Sequence, residues 1–290
     1  MPPRRLSVAI SHPDKVYWPE DGYTKRDLVA FYDLVFVKLE PWVKGRLLSL
    51  ERCPDGIAGQ CFYQKQAPAG LPPGTPTKAI RHQTGVTHYV VGGRRQTQLA
   101  LANLGCIAVH VWGSRAATPR KPDWVCFDLD PESGKFADAA RAGLTLRKAL
   151  DALGLASYPK TSGGRGLHVF VPIRVGPDAD HVLSFARQIG SALARSHPAE
   201  LTVEARIAKR AGRVYLDAAR NGFAQTVAAP YSVRARPHAP VSTPLDWSEV
   251  RPSLDPTKFH LGNFDRRLDQ EDPWADFWKR RQALPAQTEA

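Results

Sequence analysis

The run WVCFDLDP at residues 124–131 restricts the fold more than any other part of the chain. Its first four residues are typical of a buried β-strand, yet Asp128 and Asp130 close the run, and aspartate is rarely buried without a partner. Because side chains alternate along a strand, the two carboxylates point the same way, with their Cα atoms about 6.5 to 7 Å apart. They therefore need a compensating positive charge, and a divalent metal ion is the simplest one.

A third acid, Asp217, ends another short apolar strand in the segment RVYLDAARN. Two acids on one strand and one on a second strand can hold two metal ions about 3.5 to 4 Å apart, as in-line displacement at phosphorus requires. Carboxylate oxygens favour Mg²⁺ or Mn²⁺. We therefore predict Asp128, Asp130 and Asp217 as catalytic ligands of two such ions.

A simpler interpretation stays open, in which DLD merely ends the strand and Asp128 pairs with an arginine. The metal hypothesis would be contradicted if Asp217 pointed away from the other two acids. A lysine or arginine in the place of the metal ion would contradict it equally, and the enzymatic interpretation would fail with it.

A glycine-rich bend, SGGRGLHVF at residues 162–170, precedes a further predicted strand. Glycines let backbone N–H groups approach an anion closely, and Ser162, Arg165 and His168 could contact phosphate oxygens. An ordinary glycine turn with a packed histidine is the alternative. His110, between apolar neighbours, is by itself more typical of a core histidine, and a solvated basic face explains some of Lys209, Arg210, Arg213, Arg234 and Arg236.

The net charge of +12, from 40 Lys and Arg against 28 Asp and Glu, favours a polyanionic partner such as nucleic acid and predicts salt-sensitive binding. The four cysteines lack zinc-site spacing, so we expect free thiols in a reducing cytosol. The sequence has no secretory signal and no apolar segment that could span a membrane. We therefore expect a cytoplasmic, nucleoid-associated protein.

Strands and amphipathic helices alternate without regular crossover spacing, which favours an α/β (α+β) fold with mixed, largely antiparallel sheets flanked by helices. Thr24 is a predicted N-cap for a helix from Lys25, and helical periodicity marks KFADAARAGLTLRKALDALG and DADHVLSFARQIGSALARSHP. We expect a catalytic domain over residues 1–265 and a polar tail over 266–290 that packs on it or frays.

The ordered set DLDP, SGGRGLH, YLDAARN and APYSVRAR resembles the polymerase domain of bacterial DNA ligase D, within the archaeo-eukaryotic primase superfamily. The resemblance runs from HPDKVYWPEDGYTK to about FHLGNFD and implies a two-lobed primase-like core. It implies that Asp128, Asp130 and Asp217 form the metal-binding triad. The implied nucleotide contacts are Ser162, Arg165, His168, His110 and Arg234, to which we add Lys209.

For DNA, the resemblance implies that Lys15 and Lys25 hold the 5′-phosphate beyond a gap or break, and that Phe62 and Tyr63 stack on template bases. Core packing is the alternative for this aromatic pair. We add Arg52 and Lys65 to the expected DNA contacts. Glu51 stands where several relatives have a lysine, which leaves one template contact in doubt.

The resemblance implies template-directed extension of primer 3′ ends at gaps or 3′ overhangs, with Mn²⁺ or Mg²⁺ and with ribonucleotides accepted or preferred over deoxyribonucleotides. A separate DNA ligase and an end-binding protein are further expected partners. Because no ligase or nuclease module follows in this chain, we expect it to be either an excised domain or a stand-alone relative. Two alternatives remain: a non-catalytic module that binds DNA ends through the 5′-phosphate, and a nuclease that uses the same acids.

Overall fold

The computed structural model describes residues 8–285. The helices are α1 (Lys25–Val43), α2 (Arg95–Asn103), α3 (Phe136–Ala152), α4 (Ala179–Ser196) and α5 (Asp265–Leu268). The strands are β1 (Val16–Trp18), β2 (Tyr23–Thr24), β3 (Arg46–Arg52), β4 (Phe62–Gln64), β5 (Thr77–His82), β6 (Gly85–Val90), β7 (Cys106–Arg115), β8 (Trp124–Pro131), β9 (Tyr158–Thr161), β10 (Leu167–Pro172), β11 (Leu201–Thr202), β12 (Val214–Asp217) and β13 (Thr226–Ala228).

The chain divides into two compact units. Unit 1 comprises the residues up to Val111 together with Ala228–Ser242 and Phe259–Gln270. Unit 2 comprises Trp112–Val227, Thr243–Lys258 and the residues from Glu271 onward. The predicted tail therefore contributes to both units, and the predicted domain boundary at residue 265 stays a prediction.

Unit 1 is organised around helix α1. Thr24 and Asp27 form a capping box at its start, which confirms the predicted N-cap. Its apolar face includes Leu28, and Tyr32 on the same face donates a hydrogen bond from its hydroxyl to the Ile107 carbonyl of β7 at 2.6 Å. The four-stranded sheet of this unit has the order β13-β7-β3-β4, and β7 and β13 continue into residues of unit 2.

A disulfide between Cys53 and Cys61 shows that the expectation of four free thiols was wrong. Antiparallel pairing of β3 with β4 places Arg52 opposite Phe62, so Cys53, which follows Arg52, is brought close to Cys61, which precedes Phe62. The two cysteine Cα atoms lie 4.3 Å apart. Cys106 and Cys126 are buried free thiols, as expected.

Unit 2 contains a five-stranded sheet with the order β11-β12-β8-β10-β9, in which β8 pairs antiparallel with both β10 and β12. Helices α3 and α4 contact the central strand β8. Helix α3 approaches the sheet closely at Gly143, where an added Cβ would lie 2.4 Å from Leu167. Leu129 and Leu167 thus lie on the face of the sheet that the helices cover. The side chains that alternate with them along β8 and β10 point to the opposite face.

The fold class predicted from the sequence is confirmed: helices flank mixed, largely antiparallel sheets. The periodic segments form α3 and α4, and Gly154 follows α3 with a positive φ of 70°. The sequence of TVAAPYSVRAR predicts a strand or strand end. Its first three residues form β13, whereas SVRAR has only a single bridge at Val233, so a strand there is wrong. Its chain turns where the Arg236 N–H donates to the Arg234 carbonyl at 2.8 Å.

Near the end of the predicted tail, Gln282 is held by Ala156: its side-chain oxygen accepts from the Ala156 N–H at 2.7 Å and its side-chain nitrogen donates to the Ala156 carbonyl at 3.1 Å. Residues 286–290 lie outside the described part of the chain. None of the helices between residues 8 and 285 combines the length and apolar character that crossing a lipid bilayer requires.

The buried side chain of Asn221 fixes the turn after β12 to β8. Its Oδ1 accepts from the Cys126 N–H at 2.7 Å, and its Nδ2 donates to the carbonyls of Cys126 and Ala218 at 2.7 and 2.8 Å. Asn221→Ala leaves these buried backbone groups unpaired, so we expect the free energy of unfolding in urea to fall by about 2 to 4 kcal/mol. Asn103→Ala, at the end of α2, removes a hydrogen bond that is exposed to solvent and should cost about 1 kcal/mol or less. Equal losses would contradict the assignment.

Candidate active site

The three predicted acids lie on one face of the unit 2 sheet. Antiparallel pairing places Asp217 of β12 directly opposite Asp128 of β8, and Tyr215 opposite Asp130. Residues opposite each other have Cα atoms about 4.5 to 5.5 Å apart and side chains on the same face. Asp217 therefore faces the other two acids, as the sequence analysis required.

Arg220, in the turn after β12, lies between two of the acids. Its Nε is 3.3 Å from Oδ2 of Asp128 and 3.3 Å from Oδ2 of Asp217. The Arg220 side chain is 40% exposed. One guanidinium group thus balances two carboxylates that would otherwise repel each other.

Each of these carboxylates has its other oxygen held by the protein. Oδ1 of Asp128 lies 3.3 Å from Nε2 of His168. Oδ1 of Asp217 accepts a hydrogen bond from the Ala219 N–H at 2.7 Å and lies 3.4 Å from the Tyr215 hydroxyl. Both Oδ2 atoms consequently face the same position, which a cation occupies.

Asp130 has a separate partner. Arg210 donates from Nη1 to Oδ2 of Asp130 at 2.9 Å and from Nη2 to the Ala205 carbonyl at 2.9 Å. The same guanidinium lies over the Tyr215 ring, 4.4 Å from its centroid. Asp130 therefore shares the face of the other two acids and has its own arginine.

The surroundings keep Asp128 ionised. Burial by itself raises the pKa of this carboxyl, but the contact with His168 and the charges of Arg220 and Lys160 hold the pKa well below its usual range. A carboxylate near neutral pH is the protonation state that a cation ligand requires.

Among residues 8–285, no group of three or more His, Cys, Asp or Glu side chains is arranged to hold a metal ion. The position between Asp128 and Asp217 belongs to Arg220. This finding counts against the metal hypothesis by the criterion set from the sequence, whereas the orientation of Asp217 counts for it. The donor set, three carboxylates on one face, fits a hard divalent cation chemically.

The glycine-rich bend joins β9 to β10. Ser162 and Gly166 close it with two hydrogen bonds, from Ser162 N to the Gly166 carbonyl at 3.1 Å and from Gly166 N to Ser162 Oγ at 3.2 Å. A Cβ at Gly166 would lie 2.7 Å from the Leu129 carbonyl, so only glycine fits beside β8. Arg165 is exposed and lies against Gly134, and His168 faces Asp128.

Two further predicted nucleotide contacts belong to unit 1. His110 is buried, and its Nε2 lies 3.6 Å from Oε2 of Glu51. Burial raises the pKa of Glu51, but His110 and the nearby Arg234 and Arg236 outweigh it and lower this pKa. Glu51, which departs from the lysine of several relatives, is thus a half-buried acid within a basic cluster. Lys209 is exposed, and its neighbour Arg210 reaches the acids instead.

Lys15 and Lys25 lie side by side in unit 1. The Lys25 N–H donates to the Lys15 carbonyl at 2.9 Å, and Lys25 Nζ donates to the Ser11 carbonyl at 2.7 Å. Lys15 pairs with Asp55. Burial and the charge of Lys15 lower the pKa of Lys25, which is the first residue of α1. Two ammonium groups at a helix N-terminus form a site where an anion is favoured.

The aromatic pair lies at the surface of unit 1. Phe62 is 41% exposed and Tyr63 is 59% exposed, so the core-packing alternative was wrong for both. The Tyr63 ring meets the His110 ring edge-on, with centroids 5.3 Å apart. Arg52 lies over Phe62 and also donates to the Leu104 carbonyl and the Gln64 side chain, and Lys65 is exposed.

Sequence reasoning missed the roles of Arg220, Arg210 and Lys160. Arg220 lies within the segment YLDAARN, three residues after Asp217, and this short separation was its only signal. Lys160 precedes the glycine-rich bend and belongs to no recognisable motif, but it lies next to His168 in the folded sheet. The register between neighbouring strands cannot be predicted from the sequence, and it is this register that brings the three cationic side chains close to the acids.

The family described as "LigD, primase-polymerase domain" matches residues 24–274. The "Multifunctional non-homologous end joining protein LigD" of Mycolicibacterium smegmatis is 32% identical over 272 residues, which cover 93% of this chain and 35% of that protein. The protein of the same description from Pseudomonas aeruginosa is 32% identical over 286 residues, covering 96% of this chain and 34% of its own length.

Among solved structures, the "Polymerase Domain from Mycobacterium tuberculosis Ligase D in complex with DNA" superposes with a TM-score of 0.87 at 27% identity, over 94% of this chain and 99% of that one. The family match, the fold and the three facing acids agree. The chain belongs to the LigD primase-polymerase domain family. It spans about a third of the length of the curated relatives that it matches.

Arg220→Met should raise the pKa of Asp128, because it removes one of the charges that lower this pKa. A carboxylate with a lowered pKa stabilises the folded state above its unfolded pKa of about 3.9, and this stabilisation is lost as the pH falls through the folded pKa. In Arg220→Met that loss should begin at higher pH. A ¹³C NMR titration of the Asp128 carboxyl measures the shift, with Arg187→Met on α4 as control. An unchanged Asp128 titration would contradict the assigned ion pair.

Proposed function

We propose that this chain is a template-directed nucleotidyltransferase that extends primer 3′ ends at gaps or broken DNA ends. Family membership supports a primase-polymerase role in DNA repair by non-homologous end joining. The observation that carries the proposal is the pairing of β12 with β8, which puts Asp217 opposite Asp128 on the face that also carries Asp130. A protein that only bound DNA would gain nothing from three carboxylates beside a polyanion.

Asp128, Asp130 and Asp217 would hold divalent metal ions, two Mn²⁺ or Mg²⁺ ions in the full proposal. When bound, such ions supply charge neutralisation at the triphosphate and activation of the primer hydroxyl. The Arg220 ion pair does not preclude this, because the Arg220 side chain is 40% exposed and a divalent cation would replace its charge between the two carboxylates. Arg220 can therefore leave the carboxylates without unfolding the sheet.

The residues of unit 2 would bind the phosphates of the nucleotide and orient the acids. Arg165, exposed beside the glycine-rich bend, supplies a guanidinium for phosphate oxygens, and Ser162 holds the bend closed. His168 orients Asp128. Arg220, released from the acids, and the exposed Lys209 would add positive charge for the triphosphate. Within unit 1, His110 and Arg234 remain our predicted phosphate contacts.

The DNA substrate would carry a 5′-phosphate beyond the gap or break, held by Lys15 and Lys25. The exposed Phe62 and Tyr63 suit stacking on template bases, which is tolerant of sequence. Arg52 and Lys65 would contact the DNA backbone. The neighbour from Mycobacterium tuberculosis, described as a complex with DNA, supports this partner.

We extend the proposal to three properties of the reaction and its setting. The enzyme accepts or prefers ribonucleotides, acts in the cytoplasm at the nucleoid, and works with a DNA ligase and an end-binding protein. The net charge of +12 supports the nucleoid setting, because binding to DNA would be strongly electrostatic.

The second candidate function is a non-catalytic module that binds DNA ends. The placement of Arg220 between two acids favours it, because a guanidinium there resembles a permanent ion pair. The two functions differ in whether nucleotides are added, and both predict recognition of a 5′-phosphate.

Incubation with a gapped duplex, Mn²⁺ and ribonucleotides should lengthen the primer. Asp128→Asn, Asp130→Asn and Asp217→Asn should each reduce extension by at least about 100-fold, because each removes a carboxylate from the proposed metal site. Denaturing gels give the rates, and parallel reactions with deoxyribonucleotides or Mg²⁺ test the two preferences.

Asp151→Asn, on the exposed end of α3, is the matched control and should extend at the wild-type rate. Absence of extension with either metal would reject the polymerase and leave the end-binding module. Shortening of the primer without nucleotides would instead indicate a nuclease.

DNA with a 5′-phosphate at the gap should bind more tightly than the same DNA without it. Lys15→Gln and Lys25→Gln should each reduce this difference, because each removes one of the paired ammonium groups. Fluorescence anisotropy at matched salt measures it. Lys78→Gln, on the exposed part of β5, should weaken binding to both DNAs equally or not at all. Equal wild-type affinity for the two DNAs would refute the phosphate site.

A further inference from the structure

Four side chains form a row across the unit 2 sheet. Register pairs Asp217 with Asp128, Asp128 with His168, and His168 with Lys160, on the successive strands β12, β8, β10 and β9. Opposed residues of antiparallel strands point to the same face, so all four side chains project from one side of the sheet. The row leads from the acids at one end to a lysine at the other.

The contacts along the row are continuous. Lys160 Nζ lies 2.8 Å from His168 Nδ1, and His168 Nε2 lies 3.3 Å from Asp128 Oδ1. Lys160 is 0% exposed and His168 is 4% exposed. The lysine thus contacts the histidine ring, and the histidine ring contacts the carboxylate.

A fully buried lysine is unfavourable unless its charge is used, because lysine is almost never buried without a partner. An apolar side chain of similar length would fill the same space beside Phe170 at no such cost. The burial of Lys160 therefore indicates that its ammonium group has a specific role. The contact with His168 Nδ1 identifies a role as hydrogen-bond donor.

This contact fixes the histidine ring. An ammonium group has donors and no acceptor, so His168 Nδ1 must accept and the ring proton lies on Nε2. The Nε2–H then points to Oδ1 of Asp128. With Oδ1 held in this way, Oδ2 of Asp128 faces the shared cation position beside Oδ2 of Asp217.

We propose that Lys160 is a positioning residue, which holds His168 so that Asp128 presents Oδ2 to the cation. It acts through His168, whose Nε2 faces Oδ1 of Asp128. This inference rests on the proposed function, because the cation in question would be the divalent ion of the polymerase reaction. Partners that orient ligands in this way affect metal affinity by about 10- to 100-fold when they are removed.

The tautomer of His168 tests the first step. In wild-type protein labelled with ¹⁵N-histidine, two-bond ¹H–¹⁵N spectra at neutral pH should show His168 protonated at Nε2, with His168→Gln providing the assignment. In Lys160→Met this preference should be lost, and in Lys160→Arg, which keeps a donor, it should be retained. Protonation of wild-type His168 at Nδ1 would overturn the proposal, whether or not Lys160→Met folds.

Calorimetric titration with Mn²⁺ alone tests the second step. Lys160→Met should bind Mn²⁺ at least about tenfold more weakly than wild type, and Lys160→Arg should recover most of the affinity. Lys148→Met, on the exposed face of α3, is the matched control and should bind as wild type does. Unchanged affinity in folded Lys160→Met would overturn the proposal.

The design separates this proposal from the proposed function. Failure of wild type to bind Mn²⁺ and to extend a primer rejects the polymerase, and it rejects with it a role for Lys160 in cation binding. Normal wild-type binding and extension, with a Lys160→Met protein that matches wild type in tautomer and Mn²⁺ affinity, rejects only the positioning role. In the extension assay at saturating Mn²⁺, we expect kcat to recover while KM for the nucleotide stays unchanged.

Discussion

The antiparallel pairing of β8 with β10 on one side and β12 on the other is the constraint on which the site depends. It brings Asp128, Asp217 and His168, separated by many residues in the chain, into direct opposition on one face of a sheet. Opposed carboxylates repel each other unless a cation lies between them. The pairing therefore creates both the cluster and its requirement for positive charge, which Arg220 meets in this structure.

The two faces of this sheet have different roles. One face is apolar and packs beneath helices α3 and α4, with Gly143 allowing α3 to approach closely. The packing of this apolar face fixes the strands. Because alternate residues of each strand point to opposite faces, the side chains of the other face are held in fixed positions as well. A site built on strands rather than loops holds its carboxylate oxygens in defined directions. Asp128 and Asp217 each have one oxygen bound by protein groups and the other directed to a shared cation position.

Much of the fold was predictable because its signals are local. The capping box at Thr24, the helical periods of α3 and α4 and the alternation of β8 each involve residues close in sequence. Predictions that depended on long-range contacts were less complete. The disulfide between Cys53 and Cys61 follows from the register of two strands, and the segment after Ser232 turns where a strand was expected.

The sequence by itself determined which chemistry was available: two acids at the end of a buried strand, a third after another strand, a glycine-rich bend and an excess of positive charge. The acids were found because aspartate is conspicuous at the end of an apolar run. Only the tertiary structure decided which cations meet them, since lysine and arginine are frequent and their positions carry no local signal. Strand register made Arg220 and Lys160 part of the site, because register brings together side chains that the chain order keeps apart.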